Sequence, residues 1–242
     1  MSDERSVVDV DEPSSWPAHF AERIHELAND HRGSTDEVVD LQVDHYEEEL
    51  VGELEGCVLR AYHCTRLLGH EEQDIRDRGL RLYDDDLVCN RLDAALRHGH
   101  LTEDEHAQLL ARATYSRHRV GSVCMIIGKS AFENHAHQLR RLLATWGGEG
   151  IYIGHENGLG PLYSRLRKLG RPTIVIAHVD LAAAGRPRVW PGIAKVFVGA
   201  ALELVDPNAQ VTCSVAIPPS AIERLVHPGD PEYDRYSELP SG

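Results

Sequence analysis

"WGGEGIYIGHENGLGPLYSRLRKLG", Trp146 to Gly170, decides how the second half of this chain is read. Six of its first fifteen residues are glycine, and two tyrosines, Tyr152 and Tyr163, stand eleven positions apart. "EGIYIG" has the pattern of a strand, a short apolar run bounded by glycines. "LGPLYSRLRKLG" follows as a helix ended by Gly170. A strand with one tyrosine and a helix opening on another would place two aromatic faces about a cleft. Core packing beside a glycine-rich turn would use the same residues.

Upstream, "CVLRAYHCTRL" (57–67) alternates and reads as a strand, and "GHEEQDIRDRGL" reads as a short helix closed by Gly79. "NRLDAALRHGHLTEDEHAQLLARATYS" reads as a helical hairpin, with Thr102 and Glu105 forming a capping box at its second helix. Further strands are expected in "VGSVCMIIGKS", "RPTIVIAHVDL", "IAKVFVGAALELV" and "QVTCSVAIPPSAIERLV", the last closing in a short helix. "HAHQLRRLLATW" is expected as a helix, as are "PAHFAERIHELAND" and the acidic stretch 34–56. Strands and helices mix without regular alternation, so the class is α+β. Residues 1–15 are expected to be a disordered acidic N-terminus, 16–54 N-terminal helices, 55–227 the main domain with a helical insertion at about 88–117, and 228–242 a loose tail.

The chain has 242 residues, 42% of them apolar, and a formal net charge of -14. That balance argues against strong non-specific nucleic-acid binding, although it leaves room for a local basic groove. The longest apolar runs, such as "CMII" (124–127) and "TIVIA" (173–177), are far too short for a membrane span, and the N-terminus lacks a signal-peptide pattern. Five scattered cysteines without a Cys-x-x-Cys pair read as reduced thiols of a cytoplasmic protein.

His63 and Thr65 lie two apart on the expected strand and so share a face. A satisfied core histidine is the plain reading of His63, and a ligand contact is the functional one. Taken together, His63-Cys64-Thr65, the helix from Ile75 to Gly79-Leu80, Gly148-Glu149-Gly150-Ile151-Tyr152 and Tyr163 resemble the catalytic domain of poly-ADP-ribose polymerase-type ADP-ribosyltransferases. The resemblance spans roughly residues 55–227, and about 45 positions carry it. It implies a split mixed or antiparallel sheet with flanking helices, here with the hairpin inserted. It also implies NAD as substrate, and transfer of ADP-ribose to an acceptor that is a protein, a nucleic acid or a small molecule, with NAD glycohydrolase activity beside it. His63 and Thr65 would hold the adenosine ribose, and the backbone of Cys64 the carboxamide. Tyr152 and Tyr163 would sandwich the nicotinamide, with Gly150 making room.

The family's catalytic glutamate has no clear counterpart. Its position falls on Gln210 or Val211, and the nearest acid is Glu203, so Glu203 and Gln210 are the two candidates for that role. If neither acts, a catalytically inactive NAD or ADP-ribose-binding module is the alternative. An RNA 2'-phosphotransferase-like enzyme is another, with Arg66 following the motif. No metal site is expected: "HGH" (98–100) lies in a turn, and the histidines of "HAH" (135–137) diverge on a helix. Asp84-Asp85-Asp86 reads as a surface turn. "GKS" (128–130) is not a phosphate loop, because Val123 stands where its first glycine would be.

Overall fold

The computed structural model describes residues 5–33, 37–113, 119–128, 132, 136–156, 160–183, 185, 187–204, 209–236 and 239–240, with only the backbone of 136–138 and 153–156. In chain order the elements are β1 (Ser6–Val8), α1 (Ala18–His31), α2 (Glu47–Glu53), β2 (Cys57–Leu67), α3 (Gly69–Arg78), α4 (Asp85–Arg97), α5 (Glu103–Arg112) and β3 (Val123–Ile126). They continue with α6 (Ala136–Ala144), α7 (Glu149–Glu156), α8 (Pro161–Leu166), β4 (Arg171–Val179), β5 (Arg188–Trp190), α9 (Ile193–Ala201), β6 (Gln210–Cys213), β7 (Ile222–Val226) and α10 (Pro231–Asp234). The class is α+β. Seven strands form one sheet in the order β5-β6-β3-β2-β4-β7, and β1 pairs with β2 in parallel. β2 and β3 are antiparallel, as are β5 and β6.

The chain divides into two compact units. The first comprises residues 1–62, 124–136 and 176–213, and the second 63–123, 137–175 and 214–242.

In the first unit α1 packs on α9. Trp16, Phe20 and Phe197 meet edge to face, with Phe20 and Phe197 centroids 4.9 Å apart. Such contacts between quadrupolar rings add to the burial of their area. Residues 5–15, expected to be disordered, are held here. Ser6–Val8 pairs with Cys57–Leu59, Val8 and Val10 are buried, and the Trp16 indole N–H donates to the Asp9 carbonyl at 2.8 Å. Within 34–56, expected as a helix, the described residues 37–56 make two 3₁₀ turns, Val38–Asp40 and Asp44–Tyr46, before the short α2.

"IAKVFVGAA", expected as a strand, is the helix α9. Six of its nine residues are buried, so it has no polar face to reveal a helical period. Its start is fixed from elsewhere: the Glu47 carboxylate accepts the N–H groups of Ile193 and Ala194, each at 2.9 Å. Those are orphan donors of a helix's first turn, and a carboxylate there also suits the helix dipole.

The second unit gathers α3 to α8 about one apolar cluster. Leu92, Leu109, Trp146, Ile151, Tyr152 and Leu166 lie within it, all at most 1% exposed. The hairpin α4–α5 is therefore part of this core. Its caps follow the sequence: Asp84 Oδ1 accepts the Leu87 N–H at 2.6 Å, and Thr102 and Glu105 cap each other reciprocally at 3.2 and 2.8 Å. The acidic run Asp84-Asp85-Asp86 thus contains a helix cap. "EGIYIG", expected as a strand, is the body of helix α7. Gly147 (φ 103°) and Gly148 (φ 69°) turn the chain in front of it, and Tyr152 N–H reaches back to the Gly148 carbonyl at 3.0 Å.

After Pro218 the expected short helix is only the 3₁₀ turn Pro219–Ala221, and Ile222–Val226 is the strand β7. The expected loose tail holds α10, with Tyr233 and Tyr236 buried.

Gly79 explains the Gly-Leu that ends α3. Its φ is +78°, and a Cβ there would stand 1.9 Å from the Ile217 carbonyl oxygen, where Leu80 bridges to Ile217. A left-handed backbone and a collision with backbone oppose any side chain. Gly79→Ala is expected to cost about 3 kcal/mol of unfolding free energy, read by denaturant titration. A change within experimental error would show that this approach is not a constraint.

Candidate functional site

β2 carries His63, Cys64 and Thr65. Strand alternation places His63, which is half-buried, on the same face as the buried Thr65. Cys64 is buried, and burial pushes its thiol well above the ordinary range, so it is not a reactive thiolate. Arg66 is buried as well. It donates to the backbone carbonyls of Leu169 at 2.6 Å and Leu143 at 3.3 Å, and burial lowers its pKa. A guanidinium committed to backbone in this way does not serve a phosphate, which removes the residue that pointed to phosphotransferase chemistry.

The two tyrosines lie in one neighbourhood, the apolar cluster. Tyr152, on α7, is 1% exposed, and the Arg141 guanidinium lies 5.8 Å from its ring centroid. Tyr163, on α8, is partly buried against the same cluster. A ring buried to this degree has no face to offer a pyridinium, so the expected clamp is corrected: Tyr152 is core. Gly150 is not room for a ligand either. A Cβ there would lie 2.1 Å from the Tyr83 hydroxyl, so the glycine admits Tyr83.

Glu203 and Gln210 belong to the first unit. Glu203 is exposed just past α9 with φ +56°, and Gln210 opens β6 opposite Trp190. The stretch before Glu203, expected as a strand, is the helix α9 ending at Ala201, which removes the register argument for its role.

Two polar assemblies of the second unit are built by residues that the sequence reading did not join. The first surrounds the acidic pair in the first turn of α3. Glu71 accepts from Arg91 Nε at 2.7 Å, from the Leu68 N–H at 2.8 Å and from the Trp146 indole N–H at 2.8 Å. Burial pushes the Glu71 carboxyl up, but Arg91 and these donors together outweigh it and hold the pKa below the ordinary value. Glu72 receives both Nε and Nη2 of Arg171, at 2.6 and 2.7 Å, with His227 and Arg76 each 3.6 Å away. Burial again opposes ionisation, and the hydrogen bonds from Arg171, with His227 and Arg76 nearby, together lower the Glu72 pKa. Leu68 and Arg76 are local partners, but Arg91, Trp146, Arg171 and His227 are distant in sequence, so no local pattern announced them.

The second assembly begins at a stack of imidazoles. His70 lies 4.3 Å from His98 and 5.8 Å from His100, ring centroid to centroid. Burial, aided by His98, His100 and Arg91, outweighs the opposing pull of Glu71 and lowers the His70 pKa. Among the described residues no group of three or more His, Cys, Asp or Glu is placed to hold a metal ion. Of "HAH", His135 and the His137 side chain lie outside the described residues, as do Lys129 and Ser130 of "GKS". Beside the stack is an open cavity of about 500 Å³ whose polar lining is His100, Arg165, Lys168, Arg171 and Glu72.

No protein-family model, curated protein or solved structure matches this chain. Among the described residues, no helix is long and apolar enough to cross a membrane.

Proposed function

We propose that the chain binds NAD along the face of β2 that carries His63 and Thr65, and acts as an NAD-dependent ADP-ribosyltransferase with glycohydrolase activity. One observation carries this reading. β2 runs directly into α3, which ends on Gly79 at φ +78°, so strand, His-x-Thr, helix and Gly-Leu follow in the order the resemblance implies. His63 would hold a ribose hydroxyl, with Thr65 beside it. Tyr152 has no part in it, and stacking on the nicotinamide falls to Tyr163 alone. The acceptor is a protein, a nucleic acid or a small molecule.

A second reading, binding of NAD or ADP-ribose without turnover, is favoured by the burial of Tyr152 and by the exposed position of Glu203 past α9. Calorimetry with NAD, together with chromatographic detection of nicotinamide, separates the two. Turnover supports the first, and saturable binding without nicotinamide release over hours supports the second. Under the first reading, His63→Ala is expected to lower kcat/KM about 100-fold while leaving the fold intact. Absence of any NAD binding by the folded chain would overturn both.

A further inference from the structure

The cavity beside the histidine stack is at odds with the charge of the whole molecule. The chain carries a net charge of -14, yet three cationic side chains, Arg165, Lys168 and Arg171, line this one space against a single acid, Glu72. Glu72 is already committed to Arg171, whose Nε and Nη2 both point at its carboxylate. Lys168 is exposed and has no acidic partner among the described residues. Arg165 is steadied along the rim by donation to the His100 carbonyl at 3.0 Å, with the Glu105 carboxylate 3.8 Å away. At Gly69 and Gly99 an added Cβ would meet nothing within 4 Å, so the backbone itself faces open space there. The volume, about 500 Å³, falls in the range of small-molecule sites.

We infer that this cavity is a binding site for a small phosphate-bearing molecule, with Lys168 and Arg165 gripping the phosphate oxygens. An ammonium and a guanidinium together meet a phosphate through charge-assisted hydrogen bonds, the stronger kind. Arg171 keeps Glu72 paired through both carboxylate oxygens, so the one acid in the lining is countered by its own cation when an anion enters. The open glycines let a phosphate approach the backbone closely. The inference rests on this lining and not on the reading of His63 and Thr65.

The test uses the full chain with inorganic pyrophosphate and ADP as probes, by titration calorimetry. Saturable binding is expected for both, weakening as salt is raised because the contacts are exposed. Lys168→Gln and Arg165→Gln are each expected to weaken it about tenfold or more. Both positions are on the surface, so the fold should survive, and circular dichroism checks that it does. Arg188→Gln, on β5 of the first unit, is expected to leave binding unchanged. No saturable heat from either probe up to about 10 mM, or affinity that does not respond to Lys168→Gln and Arg165→Gln, would overturn the inference. The pyrophosphate probe has neither nicotinamide nor ribose, so its outcome is independent of whether NAD is bound or turned over.

Discussion

Arg91→Met is expected to destabilise the protein by about 3–5 kcal/mol at neutral pH, because it strands a carboxylate that is already out of water. Glu71 keeps its N–H donors from Leu68 and Trp146 in this variant but loses Arg91, the one full positive charge bonded to it among the described residues. Arg91 also donates to the Gly147 carbonyl at 3.2 Å and lies 5.6 Å from the Trp146 ring centroid, so its loss loosens the turn into α7 as well. The pH dependence gives a sharper signature. In the native protein the Glu71 pKa is depressed, so its contribution is fully present above the unfolded value of 4.5 and is lost as pH falls through the folded value. Without Arg91, burial dominates and raises that pKa. The variant then loses stability as pH rises through 4.5 toward the raised value. The gap between the two proteins should therefore be widest at neutral pH and narrow in acid. Urea titrations across pH measure it, and a gap that does not change with pH would show that the pair is not what Arg91 supports. Glu71→Gln combined with Arg91→Met should recover part of the loss, since an uncharged pair carries no stranded charge.

Tyr152→Ala is expected to cost a similar amount, about 3–5 kcal/mol, by leaving a cavity at the centre of the second unit's core. The ring is packed among Trp146, Ile151 and Leu166, all fully buried. Tyr152→Phe retains nearly all of that packing, so its cost is limited to the hydroxyl's hydrogen bonding, about 1 kcal/mol. The two roles of this tyrosine separate cleanly by experiment. A cofactor clamp predicts a folded Tyr152→Ala protein with weakened NAD affinity and an unshifted denaturation midpoint. A core residue predicts a large midpoint shift, with any loss of ligand binding following from the loss of structure. The burial of the ring makes the second outcome the expected one.

The sequence carried the parts of this protein whose determinants are local. β2 and β4 announce themselves by alternation and β-branched runs. α3 announces its end by Gly79, and α5 its start by Thr102 and Glu105, because a cap involves residues only three apart. The shared face of His63 and Thr65 follows from strand geometry alone. Where the chemistry depends on burial, the sequence was silent: an exposed tyrosine and a buried one have the same letter, and only packing puts Tyr152 at the centre of a core. Glu71, Arg91 and Trp146 likewise meet across 75 residues, a distance that leaves no trace in local spacing.

Two stretches, 149–156 and 193–201, were read as strands and are helices, because a short apolar run does not by its period alone separate a strand from a helix. Tertiary structure decided them. Glu47 supplies its carboxylate to the first N–H groups of α9 from 146 residues away, and Tyr83 packs against Gly150 while the turn at Gly147 and Gly148 opens α7. The local sequence determined which segments would be regular and where most of them stop. Which kind of regularity these two segments adopt, and which polar groups could be buried, was decided by partners that only the fold brings within reach, since a helix start needs its orphan donors met and a buried charge needs its counterion.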